Sequence, residues 1–224
     1  MFSQTINTFI KEVTAFAEKN SKKVKMSGTE KTETHQLTPF NKVQLEIPAV
    51  AEVITGTGVA KVVIIADENL HPYIDVSVTD GSLVLAKTED VNFSKSQVRI
   101  MIHAPGQLEH TGVFGSGEIK FVLENVEQVT GRVMGSGCIS IEGAVKNFIG
   151  SVNGSGSLNT VKLKADYVRI EIVGSGTVEV SPVIELDASI LGSGKVSYNG
   201  NPKVKANTTG SGEVVQSNQK FNHN

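Results

Sequence analysis

GSGEIKF, residues 115–121, reads on first meeting as a flexible tripeptide leading into a strand. The tripeptide of Gly115 and Gly117 returns at Gly135–Gly137, Gly154–Gly156, Gly174–Gly176, Gly192–Gly194 and Gly210–Gly212. The first glycines therefore stand 20, 19, 20, 18 and 18 residues apart. A catalytic glycine loop is needed once, and a linker has no reason to keep time. A period of this length marks a stacked architecture.

Alignment on the first glycine shows what the period carries. Two residues before it stand Val113, Val133, Val152, Ile172, Ile190 and Thr208, and four residues after it Ile119, Ile139, Leu158, Val178, Val196 and Val214. Three residues before it come Gly112, Arg132, Ser151, Glu171, Ser189 and Asn207, mostly polar. Two-residue alternation on both sides of a fixed glycine turn means strand, corner, strand, with the first two sets facing inward. A coil of 18–20 residues at roughly 3.3 Å each has a perimeter of about 60–65 Å, which suits three short sides. Asn125, Pro182 and Asn199–Pro202 mark other corners. The predicted fold is all-β, a parallel β-helix. A meander of hairpins with GSG at each tip is the competing arrangement, but a meander does not require every second turn to be identical.

Composition agrees with short strands. Hydrophobic residues make up 39% of the 224-residue chain, enough for a sizeable core, while aromatics are 5% and tryptophan is absent. A formal charge of −2 offers no basic field for nucleic acid. The lone Cys138 excludes an intramolecular disulfide framework and a CxxC zinc site. No stretch approaches the roughly 18 apolar residues that span a bilayer. The first twenty residues lack a basic start, an unbroken apolar run and a small-residue cleavage site, so the expectation from them is a cytoplasmic product.

Three regions follow one another. In residues 1–19, Phe2, Ile6, Phe9, Ile10, Val13, Phe16 and Ala17 recur at three- and four-residue steps, which predicts an amphipathic helix that caps or packs on the next domain. Residues 20–36, polar and mixed in charge, read as a linker. Residues 37–221 form the β-helix domain, with irregular first coils over 37–105 and GSG coils over 106–221. In the irregular part Asp80-Gly81 sits between VSVT and SLVL as a hairpin turn, and Gly56-Thr57-Gly58 resembles an early copy of the tripeptide.

The repeat meets none of the demands of glycine-based chemistry. GxGxxG fails at its sixth position in every copy, and a P-loop would need Ser189 to be glycine and Val196 to carry a hydroxyl. The histidines, His35, His71, His103, His110 and His223, show no ligand spacing, and Asp67, Glu68 and His71 are explained by a polar turn as well as by a metal. The outward positions directly after the corner, Glu118, Cys138, Ser157, Thr177, Lys195 and Glu213, place no two acids on adjacent coils. Glu118 with Lys120 and Glu179 with Lys195 read as solvated pairs. No catalytic residue, cofactor or metal ligand is assigned.

One outward column departs from polarity. Immediately before each tripeptide stand Phe114, Met134, Asn153, Val173, Leu191 and Thr209. An exposed apolar stripe of Phe114, Met134, Val173 and Leu191 marks something that covers it. The chain's own N-terminal part, a second copy in a homo-oligomer, or a foreign ligand are the occupants open.

FNKVQLEIPAVAEVITGTG (40–58), LHPYIDVSVTDGSLVLAKTE (70–89) and the GSG series after HAPGQLEH (103–110) together resemble the family described as putative auto-transporter adhesin, head GIN domain, over about residues 38–216. The resemblance implies a right-handed β-helix, an exported or cell-envelope location and no catalytic residues. Members are typically preceded by an export signal, and the helix over Phe2–Ala17 is outside the family pattern. The function expected is non-enzymatic binding, adhesin-like, to a glycan or cell-surface ligand. A cytoplasmic self-assembling scaffold of bactofilin-like type and, less favoured, a carbohydrate-active enzyme are the alternatives.

Overall fold

A computed structural model describes residues 22–89 and 91–217 of the chain. The helix expected over residues 1–19 lies outside them.

Four long strands, Glu118–Gly135, Cys138–Gly154, Ser157–Gly174 and Thr177–Gly192, are separated from one another by the tripeptides. Each pairs in parallel with the next, and the register is that of the sequence alignment: Val133 opposite Val152, Val152 opposite Ile172, Ile172 opposite Ile190. The stack is a parallel β-helix. Within a coil the chain turns without breaking the ladder, at register shifts between Leu123 and Val126, between Ser140 and Gly143 and between Thr160 and Lys164. Asn125 lies in the first of these, and Asn199–Pro202 falls between the strands Lys195–Tyr198 and Lys203–Gly210. Pro182 pairs with Ala165 at the edge of a further shift, beyond which Val183 and Ile184 are pushed into solvent.

Alternation decides the core. The inward columns from Val113 to Ile190 and from Ile119 to Val196 are buried throughout. At the C-terminal end the pattern relaxes, with Thr208 exposed and Val214 half-buried. This end of the stack carries Lys203, Lys205, Asn207 and Thr209 at its edge, charged and polar residues that make an unpaired strand a poor template for addition.

The first coils are stacked out of chain order. Lys42–Leu45 pairs on one side with His110–Gly115 and on the other with Ser82–Lys87, and Val50–Ile54 lies likewise between Glu118–Gly135 and Val98–His103. The coil of residues 82–103 therefore sits beneath that of residues 42–54, and the chain then passes the latter to begin the GSG series. This register corrects one expectation. Leu45 opposes Val113 and Val50 opposes Glu118, so the early equivalent of the tripeptide is Ile47-Pro48-Ala49. Gly56 and Gly58 instead donate their N–H groups to the carbonyls of Gly106 and Pro105, in a turn that joins two edges.

The far end is closed by antiparallel strands. Ile74–Thr79 folds back on Ser82–Lys87 through Asp80-Gly81, both at positive φ, as the predicted hairpin requires. Lys61–Asp67 runs antiparallel to Val98–His103, and Glu30–Gln36 pairs outside it. Residues 30–36, expected as part of a polar linker, are thus the outermost strand. Their EKTETHQ composition suits an edge facing water and conceals β structure from a pattern reading. Beneath them buried His71 places Nε2 2.9 Å from the Lys31 carbonyl oxygen and Nδ1 3.3 Å from Glu33 Oε2.

Candidate interaction surface

Stacking of the corners is what the repeat is for. At Gly115, Gly135, Gly154, Gly174, Gly192 and Gly210 φ lies between 106° and 125°, a region that side chains rarely adopt. A Cβ on Gly154 would also stand 2.6 Å from the carbonyl oxygen of Gly135 in the coil below. The second glycines, Gly117, Gly137, Gly156, Gly176, Gly194 and Gly212, have ordinary φ but no room: a Cβ on Gly117 would meet the Ile47 carbonyl at 2.7 Å. Gly143, at a different corner, obeys both rules and escaped the sequence reading because no other coil repeats it. Its φ is 119° and a Cβ there would strike the Leu123 carbonyl oxygen.

The corner backbone is also spoken for. Ser155 N–H donates to Gly135 at 3.0 Å and Ser157 N–H to Gly137 at 2.9 Å, and the same two bonds recur from Ser175 and Thr177 to Gly154 and Gly156. A nest of free N–H groups for an anion would need these donors. The central serines, from Ser116 to Ser211, are exposed.

The apolar column forms as one ladder. Phe114 opposes Met134, Met134 opposes Asn153, and the pairing continues through Val173, Leu191 and Thr209. Met134, Val173 and Leu191 remain 41%, 36% and 56% exposed. Phe114 is only half-buried because its ring lies back over Gly112, whose missing side chain leaves the space: a Cβ there would stand 2.9 Å from Phe114 Cε2. The cap strands do not reach this face, since Glu30–Gln36 pairs with Lys61–Asp67 at the end of the stack.

Beside the corner the other outward column runs Glu118, Cys138, Ser157, Thr177, Lys195, Glu213, each opposite the next. Glu118 and Glu213, the acids a hydrolase would need to pair, therefore lie five coil steps or about 24 Å apart, far beyond the reach of paired carboxylates. Glu118 binds Lys120 at 2.9 Å and Lys95 at 3.1 Å. The hydrogen bond from Lys120, opposed by partial burial and joined by Lys95, holds its carboxyl below the usual carboxylate range. Such a group adds stability above its unfolded pKa that is lost as pH falls through the lowered folded value. We expect Glu118→Gln to flatten the acid side of the melting-temperature profile below about pH 4.5, by under ~1 kcal/mol, in thermal melts from pH 3 to 7; an unchanged profile would refute the assignment. Lys195 pairs with Glu213 at 2.7 Å rather than with the expected Glu179, because register places Glu213 directly opposite.

Asp67, Glu68 and His71 do not converge. The Asp67 carboxylate accepts N–H groups from Ser27, Gly28 and Asn69 at 3.1, 2.8 and 3.0 Å, while His71 faces Lys31 and Glu33. No group of three metal-ligating side chains occurs among the described residues, and none of the helices described is long and apolar enough to cross a membrane.

A capped parallel β-helix with stacked glycine corners and an exposed ladder defines a solenoid of the kind that presents surface. The chain belongs to the family described as putative auto-transporter adhesin, head GIN domain, whose model matches residues 39–202. Among solved structures it is similar to a putative adhesin from Bacteroides fragilis, with 20% identity and a TM-score of 0.69 over 88% of this chain and 100% of that one. A putative lipid binding protein from Parabacteroides distasonis is 20% identical with a TM-score of 0.56, covering 88% and 100%. A putative adhesin from Parabacteroides merdae, 18% identical, gives 0.52 over the same shares. Comparison with curated protein sequences returned no match.

Proposed function

We propose that the protein is a non-enzymatic, adhesin-like interaction protein, exported or associated with the cell envelope, that presents rigid columns of side chains to a glycan or cell-surface partner. The observation that carries this reading is the use of the repeat. Its glycines from Gly117 onward are taken up by close stacking, and the N–H groups of Ser136, Ser155, Ser175 and Ser193 and of the residue after each tripeptide by the ladder, so recurrence of the tripeptide along the chain serves shape, and shape over a long regular face is what a binding scaffold supplies. The names of the structural neighbours agree in kind, two of the three given above being named putative adhesins. Family membership supports an exported or envelope location and lends the cytoplasmic expectation no support. End-to-end assembly into a scaffold is opposed by the charged and polar edge strands at both ends, Glu30–Gln36 and Lys203–Gly210.

The test combines place and binding. Fractionation of cells expressing the protein from its native locus should find it in the envelope or surface fraction. The purified full chain should bind at least one member of a panel of glycans, matrix proteins and whole cells. A cytoplasmic protein that binds none of them would overturn the proposal.

A further inference from the structure

Along the described stack, register repeatedly sets an outward cation against an acid one coil away. Lys146 meets Glu127 at 2.7 Å, Lys162 meets Glu142 at 2.9 Å and Lys195 meets Glu213 at 2.7 Å. Three neighbours at the start of the GSG series break that rule. Lys42 stands between Ser82 and His110, His110 between Lys42 and Thr130, and Arg132 between Gly112 and Ser151. None of these three side chains makes a hydrogen bond or ion pair among the described residues. The next acid along the Arg132 column, Glu171, is two coil steps or about 10 Å away.

The three flank a groove that a missing side chain opens. Gly112 occupies the outward position that Arg132, Ser151 and Glu171 fill in later coils, and the recess over it measures about 340 Å³, a size found among ligand-binding clefts. Lys42 and Gln44 border it from the coil below, and Thr130 and Arg132 from the coil above. His110 and the half-buried ring of Phe114 close its two ends. No carboxylate is among its lining residues. The backbone of its floor is already paired on both sides, His110–Gly115 lying between Lys42–Leu45 and Glu118–Gly135, so no strand edge is open to an added peptide.

We propose that this groove binds an acidic sugar residue of a glycan, held by its carboxylate or sulfate group. The Arg132 guanidinium presents paired N–H donors to two oxygens of such a group, and Lys42 supplies a second positive charge across the groove. Gln44 and the Thr130 hydroxyl can donate to and accept from ring hydroxyls, and Phe114 offers an apolar surface to the C–H face of the ring. An acidic peptide would lack the strand edge it needs, and an anionic lipid would engage the charges but leave Gln44 and Thr130 without a role. The proposal rests on the binding function inferred above and narrows it to one ligand class and one place.

Nuclear magnetic resonance titration of the isotopically labelled full chain at low salt tests it, with tri-galacturonate and a heparin tetrasaccharide as probes and maltotriose as their neutral counterpart. At least one acidic saccharide should shift the amides of Gly112 and Arg132 and bind at least about tenfold more tightly than maltotriose. Arg132→Gln should weaken that binding by about tenfold or more, and Lys42→Gln by about threefold or more, which keeps the test decisive if one variant folds poorly. Lys164→Gln, an exposed lysine elsewhere on the stack, should change it by less than about twofold. No shift at these amides with either acidic saccharide, or equal binding of maltotriose, poly-glutamate or phosphatidylglycerol vesicles, overturns the proposal. Binding of an acidic saccharide that ignores both Arg132→Gln and Lys42→Gln also overturns it, by placing the ligand elsewhere, and leaves the adhesin-like reading standing. That reading is decided separately by the fractionation and binding panel.

Discussion

Gly154→Ala should destabilise the protein by about 3–5 kcal/mol, the sum of holding a non-glycine residue at an unfavourable φ and of overpacking against backbone. Both terms come from position. The φ of Gly154 is 119°, and the added Cβ would stand 2.6 Å from the Gly135 oxygen and 3.3 Å from its carbonyl carbon. Neither obstacle is a flexible side-chain end that can swing away. The Gly135 oxygen also accepts the Ser155 N–H, so relief by separating the coils costs a ladder bond on the way.

Gly115→Ala supplies the internal comparison. Its φ of 106° is equally foreign to alanine, but nothing lies within 4 Å of the Cβ it would gain, because the coil beneath has Ile47 and Pro48 in place of a stacked tripeptide. Its cost should be the conformational term alone, about 1–3 kcal/mol. Urea unfolding followed by far-UV circular dichroism measures both. Equal losses would show that coil-to-coil contact is irrelevant at the corner, and the stacking account would fall. In a nearest-neighbour stack the central substitution should also lower the sharpness of the transition, since it weakens one interface between two halves that keep their own.

Phe148→Ala carries the second large effect, about 3–5 kcal/mol. Phe148 is among the largest fully buried side chains, and the coil is built around it. The inward column beside it runs Thr111, Gly131, Gly150, Ile170, Ala188, small at the two positions nearest the ring. A Cβ on Gly131 would touch Phe148 Cε2 at 3.5 Å, and one on Gly150 would press on Phe148 Cε1 at 3.2 Å as well as on Ile170 and Leu158. The ring and the two glycines are therefore one packing decision. Gly150→Ala in the Phe148→Ala background should cost less than it does alone, with a coupling of at least about 0.5 kcal/mol. Additive losses in a double-mutant cycle would deny that the glycines exist to admit the ring.

Much of this was legible in the chain. In GSGEIKF the inward assignments of Ile119 and Phe121 hold, at 0% and 4% exposure, and Glu118 does pair with Lys120. Alternation is a local property of extended backbone, so a fixed glycine fixes the parity of every neighbour. The whole apolar ladder followed from that parity, and the structure assembles it in the predicted order. What escaped was pairing between distant segments. Glu30–Gln36 has no apolar signal because its side chains face water or charged and polar partners, Glu30 meeting Arg99 and Glu33 meeting His71, while its backbone supplies the sheet bonds. Gly143 occurs in a single coil, so no repeat announces it, although its carbonyl neighbour at Leu123 makes it as constrained as any GSG glycine.

The period, the corner and which side chains face in are already written in the order of residues, because a two-residue alternation locked to a glycine leaves no freedom in any of them. That residues 82–103 lie beneath residues 42–54, that the tripeptide's early equivalent is Ile47-Pro48-Ala49 and not Gly56-Thr57-Gly58, and that Lys195 meets Glu213 emerge first in the folded stack. Each of these depends on which strand edge lies against which, and a strand's hydrogen-bonding edge is the same whatever its sequence, so its partner is chosen by the packing of the whole stack.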